Sequence, residues 1–130
     1  MKKKAEGGVK LHSNVLTDEF VALEDAVQED AKHLESINAD IRLLQEKLKK
    51  FVFQMGGYVS VAVEAGGRAG WDFTKKQFVY MGDNDADMKP LLSTPPQVKK
   101  EIYAHYLPTI LRQIKEEFLM HKEIEQEGAR

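Results

Sequence analysis

Eleven positions follow one another at alternating steps of three and four: Phe20, Leu23, Val27, Asp30, Leu34, Ile37, Ile41, Leu44, Leu48, Phe51 and Met55. Ten of the eleven are large and apolar, and Asp30 is the exception. Such an alternation averages about 3.5 residues per turn, which keeps the stripe on one side of a helix along its whole length. That pattern is the seam of a coiled coil or of a long antiparallel helix pair. It says how the chain holds another helix and leaves its biochemical role open.

Thr17 is a good helix N-cap, and Asp18 and Glu19 follow in the first turn, where the helix dipole favours acids. No proline or glycine then intervenes before Gly56-Gly57, a pair suited to ending a helix. The pattern predicts a helix over 18–55, about 57 Å long at ~1.5 Å per residue. A compact chain of 130 residues has a diameter of only about 36 Å. Either the helix folds back, or part of its stripe is covered by a second chain.

A carboxylate in a closed seam loses hydration, which costs several kcal/mol unless it is paired. Parallel pairing would set Asp30 against its own copy, so the antiparallel arrangement is the expected one, with His33 a candidate partner one turn on.

The period then changes. Tyr58–Glu64 alternates with Val59, Val61 and Val63 on one face, Ala65–Gly70 reads as a flexible turn, and Trp71 and Phe73 share a face. After the polar turn Lys75-Lys76, the run Gln77–Met81 alternates again. A three-stranded antiparallel meander over about 58–81 is predicted, its aromatic face covered by helices. An aspartate-rich loop over 82–93 precedes Thr94-Pro95-Pro96, which opens a helical region that Pro108 splits in two. The fold class is α+β. Residues 1–13 read as a disordered lead-in, and 14–127 as one domain with a protruding helical arm. In this picture Leu34–Met55 packs inside the chain and Phe20–Val27 is left for a partner. The order of elements recurs in unrelated small bacterial and phage proteins, and no motif assigns the chain to one of them.

Composition narrows the function classes. A net charge of −2 with a sequence pI near 6.1 gives no net attraction to nucleic acid or to anionic lipid. No apolar run approaches the ~20 residues of a membrane span. The basic start Met1–Lys4 lacks the apolar stretch of a secretory signal, and the chain has no cysteine, so a cytoplasmic setting is expected.

Motifs that carry chemistry are weak. Asp83-Asn84-Asp85-Ala86-Asp87 has the first three ligand spacings of a calcium loop, but Met88 stands where the turn glycine belongs and Thr94 where the bidentate glutamate belongs. Ala65–Gly70 joins two strands instead of opening a helix, so it lacks the dipole that a phosphate loop uses. His12, His33, His105 and His121 show no zinc spacing. No nucleophile stands beside a base. The sequence therefore predicts no catalytic residue, no metal and no cofactor.

The function expected is a non-enzymatic interaction or oligomerisation module. Its interface would be Phe20, Leu23, Val27, Asp30, Leu34, Ile37, Ile41, Leu44 and Leu48, and its partner a second copy, a dimer first, or a helix of another protein. One alternative is nucleic-acid binding through Trp71, Phe73, Phe78 and Tyr80, with Arg68, Lys75 and Lys76 contacting phosphates; the charge balance argues against it. Another is a small acidic secretion or assembly chaperone.

Overall fold

The computed structural model describes residues 10–128, and their side chains as far as Lys122. The order is α1 (Asn14–Lys49), β1 (Tyr58–Ala62), β2 (Arg68–Asp72), β3 (Gln77–Met81), β4 (Lys89–Pro90), a 3-10 turn Leu91–Ser93, α2 (Pro96–His105) and α3 (Leu107–Gly128). The class is α+β, as the pattern implied. The chain divides into two compact units at the Ser36/Ile37 bond, within α1. Residues 1–9 of the expected lead-in lie outside the described residues; Lys10–Ser13 are not helical.

The first unit is the N-terminal part of α1. Ser13 is the cap: its Oγ accepts from the Leu16 N–H at 3.2 Å, and its carbonyl from the Thr17 N–H at 3.1 Å. Thr17, the residue the sequence suggests, sits one turn inside. Its hydroxyl donates to the Ser13 carbonyl at 3.0 Å and accepts from the Leu11 N–H at 3.2 Å. The helix runs through Asp30 without interruption.

In the second unit, the C-terminal part of α1 buries Ile37, Ile41 and Leu48, with Leu44 half-buried beside them. The helix stops at Lys49, not at Met55. Three-residue bonds, Lys50 N–H to the Lys47 carbonyl and Phe51 N–H to the Leu48 carbonyl, close its last turn. Phe51-Val52-Phe53 combines aromatic and β-branched residues, which lose side-chain freedom in a helix. Leaving the helix sets Phe53 and Met55 against the core and leaves Phe51 56% exposed.

The sheet has order β1-β2-β3-β4, all pairs antiparallel. It gains one strand over the expected meander. Lys89-Pro90 carries no alternation, yet pairs with Tyr80 and Val79. The turn between β1 and β2 is also shorter than the run Ala65–Gly70, since β2 begins at Arg68. Cross-strand register aligns Val59, Trp71 and Phe78 in one buried row, with the Trp71 and Phe78 rings edge-to-face at 5.0 Å. The Trp71 indole N–H is buried without an acceptor among the described residues.

Helix α2 starts at Pro96 and α3 carries Pro108 in its first turn, places where a missing N–H forfeits no helical bond. Between them Tyr106 breaks the helix while its N–H still reaches the Ile102 carbonyl at 2.9 Å. The split falls within two residues of Pro108. Ile102, Leu107, Ile110 and Ile114 complete the core with Leu91.

Within this unit, two side-chain bonds hold the C-terminal part of α1. Gln45 Oε1 accepts from the Phe78 N–H at 2.9 Å, and the Tyr103 hydroxyl donates to Asp40. That bond, then partial burial, then the Asp40 charge hold the Tyr103 phenol above its ordinary value near 10. A raised phenol stabilises the fold below its unfolded value, and the contribution is lost as pH climbs through the raised one. Tyr103→Phe is expected to cost about 1 kcal/mol at neutral pH. Urea titrations at pH 8 and pH 11 should show the variant losing less stability over that interval than the wild type.

Candidate interaction surface

The helical period places Leu16, Phe20, Leu23 and Val27 along one side of α1. Their exposures are 59%, 38%, 56% and 58%. Glu24 lies on one flank of this stripe and Glu19 and Asp30 on the other, at positions one hundred degrees of turn per residue dictates. Over Asn14–Ser36 the acids are Asp18, Glu19, Glu24, Asp25, Glu29, Asp30 and Glu35, against the single lysine Lys32. The segment is an amphipathic helix with acidic edges.

Of the expected interface residues, Phe20, Leu23, Val27 and Asp30 are exposed and Leu34 is half-buried. Ile37, Ile41 and Leu48 are buried in the core of the chain itself, at 1%, 0% and 7% exposure, with Leu44 packed against them. The stripe is therefore accessible only in its first part.

A second apolar surface lies in the second unit, where the chain leaves α1 and passes α3. It is a groove of about 680 Å³. Buried Leu48 and Ile114 and half-buried Phe53 form its base, while Phe51, Val52 and Phe118 are exposed at 56%, 79% and 38%. Phe53 fixes the shape, meeting Phe73 at 5.2 Å and Phe51 and Phe118 at 6.0 Å each, all edge-on. The polar residues lining it are Lys50 and Lys115. A smaller depression shares Val52 and Phe118 and adds Gln54, His121 and Lys122. No described residue lining either is acidic. No spacing in the sequence announces this groove, because its two sides are some sixty residues apart.

The basic and aromatic residues of the sheet do not form one surface. Trp71, Phe73 and Phe78 are buried at 0%, 6% and 0%, so their faces cannot stack a base. Arg68 stands at the start of β2, its guanidinium donating to Ser60 Oγ at 2.8 Å and to the Ser60 carbonyl at 3.1 Å. Exposed Lys75 and Lys76 lie beyond the other end of that strand, more than ~13 Å away along its axis.

The aspartate loop serves its own backbone. Asp83 Oδ1 accepts from the Gly67 N–H at 2.9 Å and Asp85 Oδ2 from the Gly82 N–H at 2.8 Å, while Asp85 also meets Lys89 at 3.6 Å. Partial burial, then the charges of Asp83, Asp85 and Glu101, push the Tyr80 phenol up; its hydroxyl donates to the Gly66 carbonyl at 3.2 Å. No group of three His, Cys, Asp or Glu among the described residues could hold a metal ion. No helix among them is long and apolar enough to cross a membrane. No protein-family model, no characterised protein and no solved structure matches this chain.

Proposed function

We propose that this chain is a non-enzymatic protein–protein interaction module that self-associates through the N-terminal part of α1, in a cytoplasmic setting. The observation that carries the reading is the run Leu16, Phe20, Leu23, Val27, four large apolar side chains that α1 leaves exposed at helical spacing. None of α1 before Ile37 is buried. A stripe that follows the seam spacing and contributes nothing to its own core is the feature a second chain covers. Water-facing Leu, Phe and Val in that arrangement gain about 1.5–3 kcal/mol each on full burial.

The test is light scattering behind size-exclusion chromatography over a hundredfold concentration range. The expected mass is twice 14.8 kDa, and Phe20→Ser with Leu23→Ser should return it to that of one chain. A wild type that stays monomeric at every concentration overturns the proposal.

A further inference from the structure

Two surfaces are left apolar, and their edges carry opposite charge. The stripe on the N-terminal part of α1 is bordered by Glu19, Glu24 and Asp30. The groove in the second unit is lined, among the described residues, by apolar side chains and by Lys50 and Lys115, with Lys122 beside it. Among the described residues Lys50 and Lys115 make no ion pair.

We infer that the groove formed by Phe51, Val52 and Phe118 receives the Leu16–Val27 stripe of a second copy, with Glu19 and Glu24 meeting Lys50 and Lys115. This rests on the self-association proposed above and names the surface that the stripe binds. Charge decides between the occupants. Two stripes laid together would set the edge acids Glu19, Glu24 and Asp30 of each copy, six carboxylates, beside one another. Like charges at such an edge oppose association, whereas the lysine-edged groove attracts the same helix. Packing agrees. Val52 and Phe51 project at 79% and 56% exposure next to a recess already lined by Phe53 and Leu111, which is the relief that helix side chains spaced at three and four residues fill. Each copy carries one stripe and one groove, so two copies can supply each other's occupant.

Complementation tests it. One variant carries Phe20→Ser and Leu23→Ser, the other Val52→Asp and Lys115→Glu; all four residues are exposed, and unchanged Trp71 emission and helical circular dichroism establish that both fold. Each variant alone should dimerise about 100-fold more weakly than the wild type. Mixed in equal amounts, the two should recover a dimer, because the intact stripe of one meets the intact groove of the other. Raising salt from 50 mM to 500 mM should weaken the wild-type dimer.

If the Val52→Asp, Lys115→Glu variant dimerises like the wild type while the stripe variant does not, association is stripe to stripe. The groove assignment then falls and the self-association stands. If both variants are monomeric and their mixture stays monomeric, the groove assignment likewise falls. A wild type that is monomeric throughout overturns both.

Discussion

Ile41→Asp is expected to unfold the unit that begins at Ile37, at a cost above about 5 kcal/mol. Ile41 is 0% exposed and packs in the cluster that holds Trp71, Phe78 and Ile102. The substitution removes a buried branched side chain and leaves a carboxylate within an apolar cluster. A domain of this size has about 5–15 kcal/mol of stability in all, so the loss is of the same order as the whole. Trp71, the chain's one tryptophan, is fully buried, so its emission should move to the red in buffer alone. Leu43→Asp is the control. Leu43 lies on the same helix at 56% exposure, and its replacement should shift stability by no more than about 0.5 kcal/mol. Equal melting curves for Ile41→Asp and the wild type would show that Ile41 faces out of the core.

The next largest effect is expected at Gly70. A Cβ there would stand 1.8 Å from the Val59 carbonyl oxygen and 2.7 Å from the Ser60 Cα, both backbone atoms of the neighbouring strand. Nothing at the end of a flexible side chain can yield, so β1 has to move away from β2 along the register that pairs Ser60 with Gly70. Gly70→Ala should cost about 3 kcal/mol or more, read from the urea midpoint of Trp71 emission. Gly57 gives the contrast. It has φ +75°, but nothing lies within 4 Å of the place its Cβ would take, so Gly57→Ala pays only the left-handed strain of about 1–2 kcal/mol. Similar midpoints for the two variants would remove the close approach as the cause.

Gly70 also shows where sequence reasoning stops. Within Gly66-Gly67-Arg68-Ala69-Gly70, three glycines resemble one flexible turn, yet two serve the turn and the third sits mid-strand because another backbone crowds it. A close approach between strands leaves no local signature beyond the glycine itself. The end of α1 misleads for a related reason. Leu48, Phe51 and Met55 continue the three–four spacing, but Phe51 is 56% exposed and Phe53, which lies off the stripe, packs against the core in its place. Packing against Phe73 and Phe118 outweighs a weak helical preference there. Fold class, the meander and the break near Pro108 were legible because period, aromatics and proline act locally. The start of α1 was less so, since Ser13 and Thr17 are chemically equivalent caps and only the bonds they make distinguish them. Of the candidate surfaces, the stripe can be read along one helix, and the groove requires the tertiary fold.

The short strand β4 limits what the sheet can take part in. It has two residues, one of them a proline, so its outward side offers at most one N–H to an incoming strand, next to a charged lysine. A ribbon of chains joined edge to edge must receive a strand on one side and offer one on the other. Here one side is blunted, so strand pairing between copies could only join β1 to β1 and would end there. Fibrous growth through this sheet has no second edge to continue from.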